Sequence, residues 1–263
     1  MLYGKQKDNR KNCLEMTKNY ISRASVSSRY ILKILSGDVV EGERPDFLIE
    51  NQSGTVGVEH FLIDTLIGKK KAARSRIRKS EIKRTFDKYH DSIEGNEENA
   101  LKEIESIVQS DVDAVQNFEY KRFVSEFERI INEHSANVKE YKELHEDINK
   151  LAFLIELPIS KNKMIGLRRD GTNEEIKGER FPITIDMLRI LKGISNTVDY
   201  IIISVMHENY HNRPFVVYAF GNSNFEESIA PQLKEVYRSF TYDWQTMPFK
   251  AKVKLNLERI EKQ

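Results

Sequence analysis

The stretch RPDFLIENQSGTVGVEHFLI, residues 44–63, decides the architecture. Two apolar β-type runs, residues 45–50 and 55–63, flank the turn-forming cluster Asn51-Gln52-Ser53-Gly54, so the segment reads as a hairpin. With the turn centred between Gln52 and Ser53, cross-strand partners have numbers that sum to 105. Asp46 and Glu59 meet that condition and face each other with their side chains on one face. Like charges directly opposite destabilise a sheet, so the pair asks for something positive between them. A divalent cation answers that need. Two carboxylates and a backbone carbonyl make a hard oxygen site suited to Mg2+, which keeps waters and reaches phosphate. Such an ion can activate water, orient phosphate and neutralise the charge that develops in phosphodiester cleavage. The alternative is a solvated hairpin whose acids pair with nearby Lys or Arg.

Upstream, residues 11–35 read as one helix, with Leu14, Tyr20, Ile21, Tyr30, Ile31, Ile34 and Leu35 at three- and four-residue steps before Ser36-Gly37. Downstream, residues 66–150 contain no proline and are rich in Lys, Glu, Arg, Ile and Leu, which predicts two or three long helices broken near residues 92–96. Phe118, Phe123, Phe127, Ile130 and Ile131 have the spacing of a buried helical face; the same face could supply a dimer interface. β-type runs return at residues 151–157 (LAFLIEL), 200–205 (YIIISV) and 215–220 (FVVYAF), with a short helix at 183–191 between the first two. A helix is expected around 229–240 and a partly strand-like segment after it. Tyr242 and Trp244 are core or loop anchors first and base-stacking candidates second.

The 263 residues suit one elaborated domain or two small ones. Lys plus Arg number 42 against 41 Asp plus Glu, a formal net charge of +1, so any preference for nucleic acid must be local. The single cysteine, Cys13, excludes an internal disulfide framework and fits a reducing compartment. The polar start lacks the apolar core of a signal peptide, and no apolar run approaches the roughly 20 residues of a membrane span. A soluble cytoplasmic protein without a membrane partner is expected.

His207-Glu208-Asn209-Tyr210-His211 matches the H-E-x-x-H pattern of zinc peptidases, which needs both histidines one turn apart on a helix. Here it lies between two β-type runs and is closed by Asn212-Arg213-Pro214, and a proline disfavours helix at the residue before it. Two strands joined by a polar connection are expected instead.

Pro45-Asp46, followed by Glu59 at the end of an apolar strand, resembles the PD-(D/E)XK nuclease superfamily. The resemblance covers residues 11–83 and the strands after 151. It implies an α/β, restriction-endonuclease-like mixed sheet core flanked by helices. Residues 1–65 would carry the N-terminal helix and metal-binding hairpin, 66–150 a long helical insertion, and 151–263 the remaining core. In that superfamily the Asp and Glu bind Mg2+, for which Mn2+ commonly substitutes, and a lysine two residues after the Glu assists the nucleophile. Here that position is Phe61. The lysine can migrate to a neighbouring element, and Lys69, Lys70 and Lys71 are the candidates.

The preceding helix can add an acid, which makes Glu15 a further metal candidate, and His60 could offer its backbone carbonyl although its side chain should point away from Glu59. Glu156, inside an apolar strand, needs a partner or a metal. Residues 68–84 are strongly basic, and Lys70, Lys71, Arg74, Arg76, Arg78 and Lys79 would contact phosphates without reading sequence, unless the run pairs instead with the acidic segment that follows it. The expectation is a Mg2+-dependent nuclease acting on nucleic acid, DNA in preference to RNA, of a kind used in restriction or anti-phage defence, with a homodimer through the helical insertion as one assembly. The rival is an inactive nuclease-fold module that binds nucleic acid or a protein.

Overall fold

The hairpin forms in the expected register. In the computed structural model, which describes residues 2–23, 29–64, 118–159, 163–177, 180–207, 216–221, 225 and 235–243, Phe47 pairs with Val58 and Asn51 with Gly54. Every pair of this ladder sums to 105. The strands are β2 (Phe47–Asn51) and β3 (Gly54–Leu62). Gly54 has φ +111°, in the left-handed region, and a Cβ there would collide with the side chain of Asn149. An edge strand unforeseen in the sequence, β1 (Asp38–Glu41), precedes them and pairs antiparallel with β2. Its short, mostly exposed DVVE carries no alternation to betray it.

The protein is α/β. A mixed six-stranded sheet runs in the order β1-β2-β3-β4-β7-β8. The LAFLIEL run extends at both ends to make β4 (Ile148–Ile159), parallel to β3 on one side and to β7 (Tyr200–His207) on the other. The edge strand β8 (Val216–Gly221) returns antiparallel to β7. Strands buried on both faces need no polar face, which is why these runs read as nearly continuous apolar segments.

Helices cover both faces. On one side α1 (Leu2–Arg23) and α2 (Arg29–Leu35) replace the single helix expected over 11–35. Leu14, Ile21, Ile31 and Leu35 are fully buried as their spacing demands, whereas Tyr30 is partly exposed. They pack with Val56, Val58, Leu154, Ile202 and Ala219. On the other side lie α3 (Tyr120–Ala136), α4 (Val138–Leu144) and α5 (Ile185–Gly193). Phe123, Phe127 and Ile131 of α3 join Phe153, Ile155, Ile203 and Phe220 in the larger core. The helix expected at 183–191 is therefore present two residues later, capped by the Thr184 hydroxyl, which accepts from the Met187 amide at 3.3 Å.

A second sheet of three short strands, β6-β5-β9, is formed by β5 (Met164–Leu167), β6 (Asn173–Ile176) and β9 (Ser239–Tyr242). The end of the helix expected at 229–240 is thus corrected: Ser239 and Phe240 are strand residues, held by pairing to β5. Their alternating burial fits a strand, and Tyr242 is a core residue packed against Phe118 and Phe240. Trp244, residues 65–117 and residues 208–215 lie outside the described residues. His207 ends a strand, not a helix, which removes the geometry a zinc peptidase needs. Among the described residues no helix is long and apolar enough to cross a membrane.

Candidate acid site at one end of the sheet

Because β3 and β4 are parallel and β2 runs against them, the start of β2 and the ends of β3 and β4 share one end of the sheet. Asp46 immediately precedes the first pair of the β2–β3 ladder and Glu59 follows it, so both side chains emerge there on one face. Both are buried, at 5% and 7% exposure, far below what a solvated hairpin would leave them.

Asp46 is held on two sides. Its Oδ2 accepts from the His60 amide at 2.9 Å, and its Oδ1 forms an ion pair with Nη1 of Arg10 in α1. Burial, and next the negative charge of Glu59, nevertheless raise its pKa above the ordinary carboxylate value, so the protein makes this charge costly despite the arginine. Glu59 Oε1 lies 2.9 Å from Nδ1 of His134 on α3. An ionised carboxylate can only accept, so Nδ1 carries the proton in that bond and Nε2 is left with a lone pair in the neutral ring. Glu59 Oε2 is buried and has no hydrogen-bond partner. Tyr141 of α4 lies beside Glu59: burial first, then the Glu59 charge and a side-chain hydrogen bond to Glu59, push its hydroxyl above the usual phenol value.

Phe61, two residues after Glu59, is 5% exposed and packs flat on the His134 ring, with centroids 4.0 Å apart and planes 10° from parallel. Phe153 meets Phe61 edge-on at 5.3 Å and also stands 6.5 Å from the His134 ring. The aromatic side chain two residues after the glutamate is therefore the floor on which an imidazole from another element rests. Asp64, 6% exposed, follows just beyond the end of β3.

The remaining expected residues distribute unevenly. Glu15 is about half exposed and bonded to Lys18 at 3.1 Å; α1 presents Arg10, not Glu15, to Asp46. The His60 side chain points away from Glu59, as strand alternation requires, and its Nε2 lies 3.0 Å from Oε2 of Glu156. Glu156 thus has the partner its apolar strand demanded. Lys69, Lys70, Lys71, Arg74, Arg76, Arg78 and Lys79 fall outside the described residues. Arg10, His134 and Tyr141 were not singled out from the sequence. A signal existed for His134, which follows Phe127 and Ile131 on the buried face of α3 at seven- and three-residue steps. Nothing in the pattern says which strand it meets.

The acid pair has features that a hard cation could use. The donor set is oxygen, one carboxylate oxygen is buried without a partner, and the charge on Asp46 is raised in cost by its neighbour. No protein-family model, curated protein or solved structure matches the chain.

Proposed function

We propose that this chain is a metal-dependent nuclease of PD-(D/E)XK type, built on a restriction-endonuclease-like core and hydrolysing phosphodiester bonds in DNA in preference to RNA. The observation that carries it is the buried Asp46–Glu59 pair at the sheet end, with Glu59 Oε2 unpartnered in a site that disfavours two negative charges. Asp46 and Glu59 would hold Mg2+, or Mn2+ in its place, and the bound ion supplies an acidified water and charge neutralisation at the phosphate.

The chain's own groups supply the rest. Glu59 fixes the His134 proton on Nδ1, which leaves Nε2 able to accept a proton from the attacking water. Phe61 holds that imidazole in one plane. Arg10, paired with Asp46 and 34% exposed, is the cation that would meet a phosphate oxygen. In this reading His134 takes the task that the lysine performs elsewhere, and Phe61 is its support. The basic residues between Lys69 and Arg84 would hold the nucleic-acid backbone. Restriction or anti-phage defence is the setting that the superfamily resemblance suggests.

The rival module without catalysis also has an observation of its own: Arg10 neutralises Asp46 and no lysine follows Glu59. The test is cleavage of plasmid, linear DNA, single-stranded DNA and RNA with Mg2+ or Mn2+, for wild type, Asp46→Ala and Glu59→Ala. Divalent-dependent cleavage by wild type alone supports the nuclease. Binding of nucleic acid with no cleavage of any substrate favours the inactive module.

A further inference from the structure

We propose that Cys13, His60 and Glu156 form a zinc site that ties α1 to the two central strands, on the opposite face of the sheet from Asp46 and Glu59. The three residues come from α1, β3 and β4, and one ligand atom from each lies within 4.8 Å of the other two. That spread suits donors arranged around a single ion, since Zn–N and Zn–O bonds run about 2.0–2.2 Å and Zn–S about 2.3 Å. His60 Nε2 and Glu156 Oε2 are already 3.0 Å apart.

The donor types decide which ion. A thiolate, an imidazole and one carboxylate are a borderline-soft set that favours Zn2+ and gives Mg2+ little to hold. Charge points the same way. Thiolate and carboxylate bring two negative charges and the ion two positive ones, so the filled site is neutral and suited to burial. Cys13 is 1% exposed and the His60 side chain 2%, which argues against a thiol placed to attack a substrate. Glu156 keeps 17% exposure, so the cluster is not wholly sealed from solvent, and a water would complete the tetrahedral set.

The consequence is mechanical. β4 and β3 are joined by their ladder, whereas α1 rests on this face of the sheet by packing, with the Thr17–Ser204 hydroxyl pair at 2.8 Å reaching β7. An ion bound by Cys13 would clamp the helix whose Arg10 reaches Asp46.

The test uses the full-length chain, stripped with chelator and titrated with Co2+ as a spectroscopic stand-in for zinc. Cys13 is the only cysteine, so a thiolate-to-cobalt absorption band can come from nowhere else within the chain. One equivalent should bind with that band and the intense visible absorption of tetrahedral cobalt. Zn2+ should bleach both, and excess Mg2+ should leave both intact. Cys13→Ser should lose the thiolate band, and Glu156→Gln should keep it while weakening binding by more than the ~10-fold typical of losing an outer-shell partner. Zn2+ should also raise the wild-type Tm. Absence of the thiolate band in the wild type overturns the proposal even if the variants fail to fold. Loss of the thiolate band on adding excess Mg2+ overturns it too, because a thiolate, imidazole and carboxylate set should not yield its ion to Mg2+.

Discussion

Asp46 is a residue whose charge the fold tolerates at a cost. Its raised pKa arises first from burial and then from Glu59, so its contribution to stability is present below the ordinary carboxylate pKa and lost as pH rises through the folded value. At neutral pH the ionised group is a penalty. Asp46→Asn should therefore raise Tm at pH 7, lose that advantage in acid where the wild-type carboxyl is already protonated, and abolish cleavage. Thermal melts at the two pH values measure the first part; a lower Tm at pH 7 would contradict it. His134 is the second residue to probe. His134→Gln can keep a hydrogen bond to Glu59 but cannot accept a proton, and cleavage should fall by about 10²–10⁴-fold with folding retained. The acid pair was legible because hairpin register is local arithmetic across a four-residue turn. His134 and Arg10 were not, because they reach the pair from 75 residues and 36 residues away. Periodicity shows that a helix has a buried face but not what that face meets.

At the scale of elements, the β2–β3 hairpin aims the site, and its turn is its most sensitive point. Gly54 combines φ +111° with an approach to Asn149 that leaves no room for a Cβ. Asn149 Oδ1 also accepts from the Thr55 amide at 3.0 Å, so the turn is bound to the start of β4. Gly54→Ala should destabilise the protein by about 1–2 kcal/mol from the backbone conformation alone. Denaturant titration checks this, and an unchanged midpoint would contradict it. Such a turn is readable in sequence because Asn, Ser and Gly bring their own conformational preferences. The short strands β1, β5 and β6 were not readable. Four-residue segments with half-exposed patterns are set by their neighbours, and β9 sat where helical spacing was expected.

For the whole molecule, the sheet separates two cores, and the separation follows from the doubly buried strands β4 and β7. That layering was foreseeable from LAFLIEL and YIIISV. The strand order was not, since parallel neighbours such as Val58 and Ala152 lie far apart in sequence and local pattern does not say which strands pair. Burial on this scale also sets an alkaline limit. Tyr218 sits under the larger core with its hydroxyl donating to the Phe181 carbonyl at 3.0 Å, and burial pushes its pKa from the ordinary 10.0 up to about 12. The unfolded chain gives up this proton first, so stability is intact below about pH 10 and declines as pH rises toward 12. Tyr218→Phe should make that decline shallower, measured as the slope of unfolding free energy against pH. An unchanged slope would show that Tyr218 does not hold its proton in the folded state.

The most direct measurement compares DNA cleavage by wild type and Glu59→Gln, each with Mg2+, with Mn2+ and with chelator. Glu59→Gln keeps the size of the side chain while removing the charge that would hold an ion beside the buried, unpartnered Oε2. Cleavage by the wild type that requires the divalent ion and vanishes in Glu59→Gln is the predicted result. Cleavage that survives the substitution or the chelator would place the chemistry elsewhere, and would contradict the account of Asp46 and Glu59 as a metal-holding pair.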